Sequence, residues 1–187
     1  MTPKPRIRSS ISDLSTFRGA EIIKLVKSVA NKADKVSINL RSIGGRAFVI
    51  AISDTIESGT DFTTWRFNTY IPDFHAMYYE IWRPLYEDTY YLDRVYFHLY
   101  KTKQTKLEET EYILLHCDAS EPEDTEHSIY KQSPHLHIKC AEHPIPHSHF
   151  ALNICDLHNT LYSLENLTVA IHNAIEMLDK QVLLQLT

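Results

Sequence analysis

Val36-Ser37-Ile38-Asn39-Leu40-Arg41-Ser42-Ile43-Gly44-Gly45-Arg46-Ala47-Phe48-Val49-Ile50-Ala51-Ile52-Ser53 sets two runs of strand formers on either side of a Gly-Gly pair. In the first run Val36, Ile38 and Leu40 alternate with Ser37, Asn39 and Arg41, the period-two pattern of a half-buried strand. The second run, residues 46 to 53, is rich in Val, Ile and Phe. Glycine tolerates the positive φ of a tight reversal, so a Gly-Gly pair between such runs signals an antiparallel hairpin.

Working outward, the segment before the hairpin reads as a helix from Ser12 or Asp13, either a competent N-cap, to residue 32. Ile22, Leu25, Val26, Val29 and Ala33 form its apolar stripe, and Lys24, Lys27 and Lys32 lie opposite as an ordinary solvated helix surface. Residues 1 to 11 are polar, Pro-containing and without periodicity, which suggests a flexible basic arm whose Arg6 and Arg8 could order on a partner. After the hairpin, a third strand is expected over residues 62 to 71, beyond a turn at Ser58-Gly59. Helix, hairpin, strand is the order of an α+β fold with an antiparallel sheet.

The rest of the chain extends the pattern. Residues 73 to 82, bounded by Pro72 and Pro84, read as a short helix. Residues 91 to 101 alternate Val95, Phe97 and Leu99 with Arg94, Tyr96 and His98; their partner strand is residues 109 to 117, across a polar turn at 103 to 106. An acidic loop around Pro122 follows, then short strands at 127 to 130, 135 to 141 and 147 to 152. The closing helix starts at Asn159 or Ser163 and runs to residue 184, with Leu164, Leu167, Ile171, Ala174, Ile175, Leu178 and Val182 at helical spacing. The expected architecture is one α+β domain over residues 12 to 187: a mainly antiparallel sheet of about six or seven strands, flanked by an N-terminal and a C-terminal helix.

Composition narrows the function classes. The 187 residues are 43% hydrophobic and 23% charged with a net charge of −5, an ordinary globular balance. Charge is unevenly placed: residues 1 to 46 carry ten Lys or Arg against three acids, so any nucleic-acid affinity is expected in this basic N-terminal segment. Only four glycines are present, and none forms a Walker A, dinucleotide or kinase loop. Three cysteines without a CxxC pair argue against a disulfide framework and for a reducing, cytoplasmic compartment. No apolar run approaches bilayer length, so no membrane insertion is expected.

Residues 62 to 100 hold fourteen of the twenty aromatic residues. Three uses compete: a sheet and helix core with tyrosine hydroxyls at its rim, a protein interface, or a base-stacking platform thinly supplied with charge by Arg66, Arg83 and Arg94.

Eight of the eleven histidines and all three cysteines fall between residues 116 and 158. If Leu136 and Ile138 face a core, His135, His137 and Lys139 face the other way, and His147 and His149 return on the next strand. Whether the two His-x-His pairs share a face depends on a loop register that spacing does not reveal. Brought together, His135, His137, His147 and His149 could hold a transition metal such as zinc, with Asp118 or Glu142 as nearby carboxylates. Without metal, a pair of these histidines could act as base and acid in phosphodiester cleavage, with Lys131 or Lys139 holding the developing charge. Cys117 and Cys140 lie in phase with apolar strand residues and read as buried and inert. The histidines could equally be polar strand or interface residues.

Two function classes therefore stand side by side. The first is a binding or assembly subunit of a cytosolic multi-protein complex, with a protein partner and a histidine-rich sheet face. The second is a small hydrolase or nuclease built on the histidine cluster, with or without metal.

Overall fold

The chain joins its sheet earlier than a loose arm over residues 1 to 11 would allow. In the computed structural model, which describes residues 7–32, 36–53, 65–67, 74–102, 109–117, 135–139, 147–151, 160 and 162–186, Ile7 is already buried. β1 (Arg8–Ser10) pairs antiparallel with the start of β5 (Thr89–Thr102). The reason lies in β5, which is longer than its other neighbour, β6 (Glu109–Cys117): β6 pairs with Val95 to Thr102 and leaves the edge at Thr89 to Tyr91 for β1. Residues 1 to 6 lie outside the described residues.

The first helical segment also starts earlier than Ser12. The Ser10 hydroxyl accepts the Asp13 N–H at 3.0 Å and caps α1 (Ile11–Asp13), which runs through a π-helical stretch, Leu14–Arg18, into α2 (Gly19–Val29). Ile22, Leu25, Val26 and Val29 are buried, as the spacing requires. Next comes the hairpin of β2 (Ser37–Ile43) and β3 (Ala47–Ser53), paired from Ser37↔Ser53 to Ile43↔Ala47. Gly44 and Gly45 sit at φ 52° and 69°, the left-handed region that a side chain would strain.

Two expectations change in the next segment. Of the strand expected at residues 62 to 71, the described part, residues 65–67, makes only isolated bridges, Trp65↔Ala76 and Ala30↔Phe67. The short helix expected at 73 to 82 is instead part of the long strand β4 (Phe74–Tyr86). Its residues alternate in burial: Ala76, Tyr78, Glu80 and Trp82 are buried, while His75, Met77, Tyr79 and Ile81 are half-buried. That period of two, with aromatic and β-branched content, outweighs the proline boundary. Pro84 fits because β3 pairs only with Tyr78 to Trp82, so on that side no ladder bond is lost.

β4, β5 and β6 continue into β7 (His135–Lys139) and β8 (His147–Ala151). The sheet order is β2-β3-β4-β5-β6-β7-β8, every pairing antiparallel, with β1 added on β5. The chain closes with α3 (Leu164–Met177), capped by Ser163, whose hydroxyl accepts the Asn166 N–H at 3.1 Å. Leu167, Ile171, Ala174 and Ile175 of α3 are buried with the α2 stripe against Ile50, Ile52, Trp82, Val95, Phe97 and Leu99 of the sheet. The fold is thus α+β: an antiparallel sheet of seven strands in one path, joined by β1 on β5, with an N-terminal and a C-terminal helix. Among the described residues, no helix is long and apolar enough to cross a membrane.

Inside this core lies a charged pair that apolar patterning does not reveal. Arg18, 1% exposed, meets Glu80, 0% exposed, through Nε at 3.1 Å to both carboxylate oxygens and through Nη2. Tyr78 Oη donates to Glu80 Oε1 at 2.6 Å, Trp82 Nε1 donates to Oε2 at 2.9 Å, and Arg18 Nη1 donates to the Thr168 hydroxyl of α3. The pair therefore joins the helical layer to the sheet. Desolvation by burial pulls the Arg18 guanidinium down, but the Glu80 carboxylate, with help from Tyr78 and Glu21, more than reverses it and holds the cation above its ordinary range.

Burial, followed by the Glu80 charge, pushes the Tyr78 phenol well above its ordinary 10.0. A raised folded value means that the neutral phenol's contribution is complete below pH 10 and is lost as pH climbs beyond it, because only the unfolded chain ionises there. Stability is expected to fall above about pH 10 more steeply in the native chain than in Tyr78→Phe. Urea midpoints at pH 8 to 11 measure this, and parallel curves would contradict it.

Candidate metal centre

The two faces of the sheet follow from cross-strand register. Ile52, Tyr78 and Phe97 lie in one row on the helix-covered face, whereas Ala51, Tyr79, Tyr96, His116 and His135 form a row on the other. Its neighbour runs Met77, His98, Leu114, His137, His149. On that second face β6 and β7 bring three histidines together. His116 is the register partner of His135, and His137 follows two positions along β7.

His116, His135 and His137 each offer a ring nitrogen within 4.8 Å of the other two. Ring centroids are 4.1 Å apart for His116 and His135, 4.5 Å for His116 and His137, and 4.8 Å for His135 and His137. His135 is fully buried although it stands on the face away from the helices, and His137 is half-buried. Nε2 of His116 lies 2.7 Å from Nε2 of His137, so in this arrangement one imidazole donates a hydrogen bond and the other accepts it. Zinc bound by imidazole at about 2.0–2.1 Å in a tetrahedral site holds its nitrogens about 3.4 Å apart. The donor set suits zinc, copper, iron or nickel.

A ladder of rings leads to this cluster. Tyr79 stacks on Tyr96 at 4.9 Å, Tyr96 stacks on His116 at 5.2 Å, and His98 stacks against both tyrosines at 5.5 and 5.6 Å. Arg94 Nη1 donates to the Tyr96 hydroxyl at 3.1 Å. These contacts fix the His116 ring from the β5 side, the kind of support that holds a ligand in its productive orientation. The crowded aromatic segment thus serves two layers: Trp65, Phe67, Tyr78, Trp82 and Phe97 fill the core, and Tyr79 and Tyr96 line the histidine face.

The residues singled out by spacing fall as follows. His135 and His137 belong to the cluster. Register places His149 opposite His137, and His147 opposite Lys139, so all five positions share one face of β7 and β8. Asp118, Lys131, Cys140 and Glu142, and the strand expected at 127 to 130, lie outside the described residues. Cys117 is buried on the core face. His116 is the ligand candidate that spacing missed. Its signal was present: Cys117, next to it on β6, is on the core face, which turns His116 the other way, but only the β6–β7 register brings it to His135. Arg18 also leaves the basic N-terminal surface, because its charge is spent on Glu80 inside the core.

Comparison of the chain with protein-family models, with curated proteins and with solved structures yields no match in any of the three.

Proposed function

We propose that His116, His135 and His137 hold a zinc-class transition metal and that the protein is a small metal-dependent hydrolase. One observation carries this reading: three imidazoles from adjacent strands present ring nitrogens within 4.8 Å of one another. Three imidazole ligands with a fourth position open to water are a known catalytic zinc arrangement. The ion lowers the pKa of that water to about 7 and supplies hydroxide at neutral pH.

Protein purified without chelator should carry close to one equivalent of transition metal by elemental analysis. His135→Ala or His137→Ala should abolish it, since losing one ligand of three removes tight binding. Free zinc at about 1,000 times Kd should add about 4 kcal/mol, raising the melting temperature of a chain this size by about 10 °C. A metal-free chain whose melting ignores zinc would overturn the proposal.

The 2.7 Å contact between His116 and His137 supports a second reading, in which the pair works without metal as base and acid. Cleavage would then persist in EDTA. The assembly-subunit reading rests on another surface: Phe17, Val169 and Tyr162 are 65, 54 and 83% exposed in the helical layer or beside it. A protein partner there, nucleic acid on the basic N-terminal segment, and a cytoplasmic setting belong to that reading, which predicts neither bound metal nor cleavage.

A further inference from the structure

We infer that the groove between α2 and α3 binds an unbranched aliphatic carboxylate of medium chain length, with Lys24 and His172 taking the carboxylate and Leu25 and Val169 the chain. The site lies in the helical layer, apart from the histidine centre, and does not depend on it. The two helices leave between them a cavity of about 350 Å³, lined along α2 by Glu21, Lys24, Leu25 and Ser28. Thr168, Val169 and His172 of α3 form its other wall. That volume falls within the range of about 300–1,000 Å³ usual for small-molecule sites. From Glu21 to Ser28 the α2 wall rises about 10 Å, room for a short chain laid along the helix.

The groove is tied to the core through the buried ion pair. Nη1 of Arg18 donates to the Thr168 hydroxyl and, at 3.3 Å, to Oε2 of Glu21, so one lining residue from each helix is held by the same guanidinium. Arg18 ends the π-helical stretch Leu14–Arg18, a local widening that recurs at functional sites in helices.

Hydrogen-bond capacity decides the head group. The Ser28 hydroxyl donates to the Leu25 carbonyl at 2.6 Å and the Thr168 hydroxyl to the Leu164 carbonyl at 2.7 Å, so both protons are already committed. Glu21, the carboxylate of the lining, accepts from Arg18. Glu176, whose charge interacts with that of His172, pairs with Lys180 and borders a separate hollow. What the lining has left to donate is the Lys24 ammonium from one wall and a ring N–H of His172 from the other. Two such donors match the two oxygens of a carboxylate, whereas a phosphate dianion calls for more charge than one lysine brings. Leu25, 6% exposed, and Val169, 54% exposed, offer only side-chain carbon, which suits an alkyl chain.

The test is calorimetric titration of the full chain with hexanoate, octanoate and decanoate, with octan-1-ol and octylamine as the uncharged and cationic counterparts. Octanoate should bind at one equivalent with Kd at or below about 1 mM, in keeping with its few non-hydrogen atoms. Each methylene that the groove takes in should tighten Kd by up to about fourfold along the series. Lys24→Met should weaken octanoate by about tenfold, the loss of one charge-assisted hydrogen bond, and leave octan-1-ol unchanged. Val169→Asp, which sets a carboxylate in the wall, should abolish octanoate binding and is the second variant should Lys24→Met fail to fold. No saturable octanoate binding up to about 10 mM would overturn the inference. So would octylamine or octan-1-ol binding as tightly as octanoate, or an octanoate affinity that ignores both substitutions.

Discussion

Glu80→Ala is expected to lower folding stability by about 3–5 kcal/mol, the cost of stranding one member of a buried ion pair. Arg18 is 1% exposed, and the Glu80 carboxylate meets its Nε and Nη2. Tyr78 Oη and Trp82 Nε1 lose their acceptor in the same change. Each donor left unsatisfied in the core costs about 1–3 kcal/mol, which puts the result toward the upper end. Domains of this kind hold about 5–15 kcal/mol in total, so the loss is a large share of the whole. Removing both charges together, as Arg18→Met with Glu80→Leu, should recover the part of the loss that comes from the stranded cation, while Tyr78 Oη and Trp82 Nε1 stay without their acceptor. Urea midpoints for the single and double variants measure both effects. A Glu80→Ala midpoint within about 1 kcal/mol of the native chain would contradict the burial of the pair.

Leu167→Asp and Ile171→Asp should each abolish folding. The two side chains are 0 and 2% exposed on the stripe by which α3 meets the sheet. Truncating a buried leucine or isoleucine alone costs about 2–5 kcal/mol, and a carboxyl with no partner in the core adds the penalty of burying an unpaired polar group. The sum approaches the whole stability of the chain. Val169→Asp, on the same helix but 54% exposed, is the control and should stay within about 0.5 kcal/mol of native. Circular dichroism melts of the three variants decide the matter. Native-like melting of Leu167→Asp and Ile171→Asp would remove α3 from the core.

The α+β class, the Gly44-Gly45 hairpin, the closing helix and its stripe, and the strands at His135–Lys139 and His147–Ala151 were all legible in residue order, because each is a local property. Alternation in Val36, Ile38 and Leu40 repeats every two residues, and Leu167, Ile171, Ala174 and Ile175 follow the turn of a helix; both patterns survive without knowledge of any neighbour. Boundaries were less secure where a long-range partner sets them. Ile7 and Arg8 left the arm because β5 offers them an unpaired edge. The segment 73 to 82 became β4 because β3 and β5 pair with it on both sides, a gain that outweighs what Pro72 and Pro84 suggest locally.

What residue order could not contain was which side chains meet across strands. Arg18 and Glu80 are 62 positions apart, and each alone reads as a solvated charge. His116 is 21 positions from His137 and shows only that it faces away from the core. Tertiary structure decided both pairings, since sheet register slides in steps of one residue and each step turns a strand's side chains to the opposite face. The register that pairs Leu115 with Leu136 is the one that sets His116 against His135, so the histidine centre is a consequence of how β6 and β7 align.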